Sequence, residues 1–239
     1  MKGKKLLLIT CHGFTGYPDE MIPVGQYFKE LGFQWKNLQL PGHATTPEEL
    51  KNTNWKDWGD YVIFSVKEEI KNYPDGVFLV GLSLGGLLTL YTLENVPELT
   101  GAVTLSAPIE IFNTFQSLIS KIPKLGFWIH KSSTPDCYDP EANASQKCYH
   151  KFHSNSAKQV NYLAKVVKAN LGKISQPILI CHSKKDLTIP YKNARIIYDS
   201  LKSEKKELLY VDNSSHVITK DYDKNIIFNK MNEFFSEIV

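Results

Sequence analysis

The sequence predicts an α/β fold in which a mostly parallel sheet carries helices on both faces. Short apolar runs alternate with helix-like segments along most of the chain, and this alternation is typical of a parallel sheet with crossover helices. The alternation is interrupted once, between about residues 109 and 168. Reactive polar residues follow several of the predicted strands, at the sheet edge where such folds bind their ligands.

Length and composition limit the classes of protein to consider. The 239 residues are enough for one domain with a full core and one insertion. The 28 basic and 25 acidic residues leave a net charge of +3, and Arg195 is the single arginine. Because no basic cluster with interleaved aromatic residues occurs, no nucleic-acid partner is expected. No run approaches the ~20 apolar residues of a membrane span, so no stable membrane insertion is expected.

The N-terminal run and the cysteines bear on location. The apolar run after Lys5 is too short for a signal peptide, so a cytoplasmic location with reduced cysteines is expected. Cys148, His150 and His153 lie close together, with Cys137 upstream. Their spacing fits no familiar zinc module, so a zinc site there is only a minor alternative. The prediction is no metal and no organic cofactor.

The first half of the chain alternates regularly. The predicted elements are a strand at 4–10, a helix at 19–31, a strand at 33–40, a helical turn at 46–50 and a helix at 54–72. Asp19 and Asn54 are residue types that favour N-cap positions. Gly32 can end the first helix in the left-handed conformation.

A glycine and serine box joins the next strand to its helix. Val77 to Leu82 is an apolar run that predicts a buried strand, and Leu84 to Glu94 predicts a helix. Between them lies Gly81-Leu-Ser83-Leu-Gly85. Such a sharp turn presents the Ser83 hydroxyl at a helix N-terminus, where developing negative charge is favoured. The box alone also occurs for structural reasons, so a base and an acid must follow.

The interruption begins after a predicted strand at 99–106. The segment 109–168 has no clear strand and contains aromatic-rich pieces, a polar centre and a predicted helix at 156–168. A long insertion at the carboxyl edge of a parallel sheet is usually functional. We therefore expect one domain over 1–239 with a cap at about 109–168. The alternative is an ordinary pair of core helices joined by a linker.

Aspartate and histidine follow the last two predicted strands. After the insertion we expect a strand at 177–181, a helix at 191–201, a strand at 206–211 and a closing helix at 221–238. The chain order Ser83, Asp186, His216 suits a nucleophile, an acid and a base. Asp212 is the other candidate acid but lies too near His216 on the same loop. Taken singly, the aspartate could be a turn residue and the histidine a surface residue.

Several further pieces resemble one known group. They are His12-Gly13-Phe14-Thr15-Gly16, Gly42-His43 with Pro47-Glu48-Glu49-Leu50, Gly81 to Gly86, Ser106-Ala107-Pro108, Asp186 and Ser215-His216-Val217-Ile218-Thr219. With them the chain resembles the small bacterial carboxylesterases and monoacylglycerol lipases of the α/β-hydrolase superfamily. The pieces run from the first strand to the last helix, and only the cap lacks a recognisable motif.

The resemblance implies a site and an activity. Ser83, Asp186 and His216 would be catalytic, and the backbone N–H groups of Phe14 and Leu84 would form the oxyanion hole. The expected reaction is hydrolysis of carboxylic esters with short-to-medium apolar acyl chains, with monoacylglycerols as candidate substrates. The protein is expected to be a monomer or a homodimer. Substrate-binding candidates are apolar side chains of the oxyanion loop and cap: Phe14, Phe112, Phe115, Phe127 and Trp128.

Other activities fit the same three residues. A cinnamoyl or feruloyl esterase, a thioesterase, an acyltransferase or a carbon–carbon hydrolase would share them. A non-catalytic ligand receptor on the same fold is a further alternative, although an intact set of catalytic residues argues against it. His12 and His43 are expected to be structural, and the sequence assigns no role to His182.

Overall fold

A six-stranded parallel sheet forms the centre of the molecule. The computed structural model describes residues 3–110, 126–131 and 134–239. The strands of the sheet are β1 (Leu6–Cys11), β2 (Gln34–Leu38), β3 (Gly76–Leu82), β4 (Gly101–Leu105), β7 (Ile178–Ser183) and β8 (Lys206–Val211). They lie in the order β2-β1-β3-β4-β7-β8, and each neighbouring pair is parallel. The predicted α/β class is confirmed.

Helices cover both faces of this sheet. They are α1 (Ile22–Glu30), α2 (Pro47–Lys51), α3 (Trp55–Ile70), α4 (Leu84–Asn95), α5 (Pro140–Ala144), α6 (Ser154–Asn170), α7 (Lys192–Ser200) and α8 (Lys224–Ser236). Two short 3-10 helices, Pro18–Met21 and Leu171–Lys173, precede α1 and follow α6. Residues of α1 and α8 share one apolar cluster with the sheet, and residues of α3, α4, α6 and α7 share the other.

The inner strands β1, β3, β4 and β7 are largely apolar because both of their faces are buried, whereas the edge strands β2 and β8 are only partly buried and include charged residues. In β1, Leu6 and Leu8 point into the cluster beneath α1 and α8, whereas Leu7 and Ile9 point into the opposite cluster. All four side chains are almost fully buried. Removing a Leu side chain of this kind from water contributes about 1.5–3 kcal/mol to folding. This explains why the sequence shows continuous apolar runs rather than alternation.

Helix termini follow the predicted signals with one correction. Asn54 caps α3 in a capping box with Asp57, and Gly32 has the left-handed backbone that ends α1, with φ at 93°. The prediction that Asp19 caps the first helix is wrong. Pro18 opens a 3-10 turn that contains Asp19, and α1 begins only after it with no side-chain cap. The Asp19 carboxylate instead lies 3.4 Å from Lys220 Nζ.

The interruption contains strands that the sequence did not predict. β5 (Trp128–His130) and β6 (Lys151–His153) pair in antiparallel fashion, with α5 between them. Three-residue strands are too short to show a periodicity, and their pairing joins residues more than 20 positions apart. This hairpin lies beside the loop after β1. Tyr149, two residues before β6, donates its N–H to Thr15 O in that loop over 2.9 Å. Helix α6 packs its apolar side chains into the core cluster that also contains α4.

Candidate active site

Ser83 occupies a strained corner between β3 and α4. Its backbone has φ 54° and ψ −114°, which is rare for any residue with a side chain. Its N–H donates to Leu105 O over 2.8 Å, so the neighbouring strand holds the corner in place. Ser83 is 9% exposed. The strain and this exposure fit a residue that is held for reaction rather than for packing.

The two glycines of the box allow the chain to turn this tightly. A Cβ on Gly81 would lie 2.0 Å from Gly85 O, and a Cβ on Gly85 would lie 2.2 Å from Cys11 O. The first turn of α4 therefore rests directly on the end of β1. A side chain at either position would push β3, α4 and β1 apart.

The structure brings the three predicted catalytic side chains together. His216 Nε2 lies 2.9 Å from Ser83 Oγ, and His216 Nδ1 lies 2.8 Å from Asp186 Oδ2. The three residues come from the loops after β3, β7 and β8. In this arrangement Nδ1–H donates to the carboxylate and Nε2 accepts from the serine hydroxyl. Asp212, the alternative acid, is exposed and pairs with Lys184 instead.

The side chain of Asp186 is fully buried and accepts four hydrogen bonds. Its Oδ1 accepts from the N–H groups of Thr188 and Ile189, each over 2.8 Å. Its Oδ2 accepts from His216 and lies 3.1 Å from His182 Nε2. Burial alone would raise the pKa of Asp186, but His216 and His182 hold it well below its usual range. The carboxylate is therefore ionised at neutral pH and can orient His216.

The predicted oxyanion-hole residues flank Ser83. Leu84 is the first residue of α4, and the N–H groups of a first helical turn have no partner inside the helix. Phe14 lies on the loop after β1. A Cβ on Gly13 would lie 3.3 Å from Ser83 Cβ, so this loop passes directly beside the nucleophile. Both backbone segments are thus next to the serine.

His12 and His43 are buried inside the loops around the site. Leu40 N–H donates to His12 Nε2 over 3.2 Å, and His12 Nδ1 lies 2.9 Å from Gly13 O. His43 Nδ1 lies 3.1 Å from Pro41 O. Burial lowers the pKa of His12 to about 4 and the pKa of His43 to about 3, so both are neutral near pH 7. They shape the loops on either side of Phe14.

The side chain of Phe14 packs in an aromatic cluster. Its ring centroid lies 5.3 Å from that of Phe152 and 6.4 Å from that of Trp58. Phe152 lies on β6 and is 8% exposed. No short-range signal in the sequence marks Phe152, because β6 is too short to be predicted.

The other substrate-binding candidates are placed differently. Phe112 and Phe115 lie outside the described residues. Phe127 and Trp128 are 41% and 36% exposed. Trp128 contacts His153 and Lys151 on the same hairpin, at 5.5 Å between ring centroids and 4.6 Å from Nζ to the ring centroid. Within the described ranges, no hydrogen bond or ring contact joins either side chain to the catalytic three.

No group of three or more His, Cys, Asp and Glu side chains in residues 3–110, 126–131 and 134–239 could hold a metal ion. Among the helices of these ranges, none has the length and apolar character needed to cross a membrane.

Comparison with known proteins assigns the family. The profile of the family described as "Serine aminopeptidase, S33" matches residues 2–223. The thermostable monoacylglycerol lipase of Bacillus sp. (strain H-257) is 32% identical over 235 residues, covering 96% of this chain and 90% of that protein. The carboxylesterase of Bacillus subtilis (strain 168) is 28% identical over 240 residues, with coverages of 99% and 95%.

A solved structure agrees with these relatives. The structure of a metagenome-derived lipolytic enzyme superposes with a TM-score of 0.83 at 26% identity, covering 98% of this chain and 95% of the other. The resemblance to bacterial carboxylesterases and monoacylglycerol lipases, drawn from short motifs, is confirmed over nearly the whole chain. This chain belongs to the serine aminopeptidase S33 family of α/β-hydrolases.

Proposed function

We propose that the protein hydrolyses carboxylic esters through an acyl-enzyme on Ser83. The observation that carries this proposal is the continuous hydrogen-bonded chain from Ser83 Oγ through His216 to Asp186. A serine hydroxyl is a weak nucleophile near neutral pH and needs an adjacent base. His216 is that base, and Asp186 fixes its tautomer and stabilises its cation.

The reaction proceeds in two halves. Ser83 Oγ attacks the ester carbonyl as its proton passes to His216 Nε2, and a tetrahedral oxyanion forms. Collapse of this intermediate breaks the bond to the alcohol, which leaves with the proton from His216. Water then attacks the acyl-enzyme with the same proton transfers, releasing the acid and restoring Ser83.

The backbone N–H groups of Phe14 and Leu84 stabilise the oxyanion in this proposal. Support comes from the position of both segments beside Ser83 and from the helix dipole at the start of α4. Each such donor typically contributes about 10²- to 10³-fold to the rate. A backbone N–H group cannot be removed by substituting the side chain of its residue. The role of the Phe14 N–H can instead be tested by mutations that shift the loop carrying Phe14.

The acyl group is short to medium in length and apolar, and monoacylglycerols are candidate natural substrates. Two observations support this choice: the aromatic cluster of Phe14, Phe152 and Trp58 beside the site, and the names of the two Bacillus relatives. The segment 109–168 acts as a cap in the same proposal, with β5 and β6 over the loop after β1 and α6 also packed in the core. A cytoplasmic location is supported by the four free cysteines.

A series of p-nitrophenyl esters from acetate to palmitate tests the substrate class. We expect kcat/KM to peak between butyrate and octanoate and to fall for palmitate, because the proposed acyl site binds a limited length of chain. Glycerol monooctanoate should also be cleaved, and an aminoacyl p-nitroanilide should not. Turnover of bulky aromatic esters without turnover of aliphatic ones would refute the acyl specificity.

The pH dependence of kcat/KM should reflect the protonation of His216. Burial lowers the pKa of His216, but the charge of Asp186 and its hydrogen bond outweigh that effect and raise the pKa above the ordinary 6.5. Only the neutral imidazole accepts the Ser83 proton. We therefore expect kcat/KM to be full above this pKa and to fall about tenfold per pH unit below it. A profile of kcat/KM from about pH 5 to 9 checks this, and an acid limb centred below 6.5 would contradict it.

A further inference from the structure

A buried carboxylate that the proposed mechanism does not use lies beside the nucleophile. Glu20 is only 4% exposed and comes from the 3-10 turn before α1. A Cβ on Gly13 would lie 3.3 Å from both Glu20 Oε2 and Ser83 Cβ. The carboxylate therefore sits directly behind the loop that passes Ser83.

Glu20 joins three separate parts of the active site. Its Oε2 accepts from Gly13 N–H over 2.8 Å, in the residue before Phe14. Its Oε1 accepts from Gln146 Nε2 over 2.7 Å, in the segment between α5 and β6. Its backbone carbonyl accepts from Thr219 Oγ1 over 2.6 Å, three residues after His216. One residue thus contacts the oxyanion loop, the proposed cap and the loop of the base.

The fit between Glu20 and the oxyanion loop is close. A Cβ on Gly16 would lie 2.1 Å from Glu20 Oε1, so only glycine leaves room for the carboxylate at this point. The N–H of Gly13 is fixed by Oε2, and the peptide plane that follows determines where Phe14 N–H points. A shift of this loop would move the Phe14 N–H relative to Ser83.

The electrostatic surroundings make the ionised carboxylate costly. Burial raises the pKa of Glu20 to about 7, Lys131 and His216 act in the opposite direction, and Asp136 adds to the increase. Lys220 bonds to Gln146 and Asp19 rather than to Glu20. Among the described residues, no Lys or Arg nitrogen lies within ion-pair distance of Glu20. A buried acid without an ion pair is destabilising, and its two N–H donors offset only part of that cost.

We propose that Glu20 is a positioning residue that holds the Phe14 N–H in the oxyanion hole and links that loop to the cap through Gln146. The inference rests on the proposed ester hydrolysis. It adds to that proposal a side chain whose substitution alters the oxyanion hole, although the donors of the oxyanion hole are backbone N–H groups.

Two substitutions separate positioning from charge. Glu20→Gln keeps an acceptor for Gly13, and its new amide can donate to Gln146 Oε1 once the Gln146 amide rotates, a rotation that gives up the bond from Lys220 Nζ to the same oxygen. Glu20→Ala removes both bonds. With p-nitrophenyl butyrate we expect Glu20→Ala to lower kcat about 10- to 100-fold at nearly unchanged KM, because loss of an oriented oxyanion donor acts on the transition state. Glu20→Gln should stay within about threefold of the wild type at pH 8.

An alkyl trifluoromethyl ketone gives a second readout. Ser83 Oγ adds to the carbonyl carbon of this inhibitor, and the resulting adduct carries an oxyanion where the transition state has one. Its inhibition constant should rise in Glu20→Ala by the same factor by which kcat/KM falls. Where Glu20 is ionised, above its pKa of about 7, its negative charge raises the pKa of His216, so Glu20→Gln should also move the acid limb of kcat/KM slightly to lower pH.

Controls distinguish the possible failures. Glu69→Gln removes a carboxylate whose partner is Lys36 on β2, and it should leave kcat unchanged. Thermal unfolding of each variant shows whether it is folded at the assay temperature. Wild-type kcat in a folded Glu20→Ala variant, or a lower kcat without weaker ketone binding, would overturn the role of Glu20. The rate of Ser83 labelling by a fluorophosphonate should fall in Glu20→Ala even if no tested ester is hydrolysed. The role of Glu20 can therefore be tested even if the proposed substrate class is wrong.

Discussion

Replacing Ser83 with alanine is expected to lower kcat for ester hydrolysis on the order of 10⁶-fold. The residual rate would come from substrate binding and the oxyanion hole alone. Alanine removes only the Oγ atom, so His216 loses its 2.9 Å partner while the Ser83 N–H bond to Leu105 O remains. The measurement is hydrolysis of p-nitrophenyl butyrate by variant and wild type prepared in parallel.

The Ser83→Ala variant is expected to keep the wild-type fold. The backbone strain at position 83, with φ at 54°, is the same for serine and alanine. We therefore expect a midpoint of thermal unfolding close to that of the wild type. A folded Ser83→Ala variant that keeps more than about one hundredth of wild-type kcat would exclude Ser83 as the nucleophile.

Replacing Asp186 with asparagine is expected to lower kcat about 10⁴-fold. The carboxylate accepts from His216, His182 and two backbone N–H groups, and an amide cannot accept all of them. An Asn NH₂ facing His216 Nδ1 stabilises the tautomer with its proton on Nε2, and that tautomer cannot take the proton of Ser83. The measurement is kcat for p-nitrophenyl butyrate at pH 8 and above.

Asp212→Asn provides the matched control for the acid. Asp212 lies on the same loop as His216 but is exposed and pairs with Lys184. Exposed pairs of this kind contribute about 0–1 kcal/mol to stability, so the variant should stay folded. Because Asp212 does not contact His216 in the structure, the variant should also keep wild-type kcat. If Asp212→Asn lost as much activity as Asp186→Asn, the assignment of the acid would be wrong.

Short-range signals were sufficient to predict the sheet and the positions of the catalytic candidates. Apolar runs buried on both faces predicted the inner strands of the sheet, and the residues that follow β3, β7 and β8 include Ser83, Asp186 and His216. Parallel strands bring their carboxyl ends to one edge, so chain order alone implies proximity. The distances of 2.8 and 2.9 Å required the structure.

The features that the sequence did not reveal depend on contacts between distant residues. Glu20 and Gln146 are 126 positions apart, and neither belongs to a motif. His182 lies four residues before Asp186, but a buried histidine in a strand gives no sign that it will bond to that carboxylate. Phe152 reaches Phe14 through the hairpin of β5 and β6, whose strands are too short to predict.

The central claim is that Ser83 forms a covalent acyl-enzyme with the help of His216. Incubation with a p-nitrophenyl N-butyl carbamate tests it most directly, because the carbamoyl-enzyme that forms is hydrolysed slowly and can be isolated. We expect a burst of one p-nitrophenolate per active chain, a mass increase of one carbamoyl group on the peptide that contains Ser83, and neither result with Ser83→Ala. A carbamoyl group on another residue, or an equal burst from Ser83→Ala, would contradict the account.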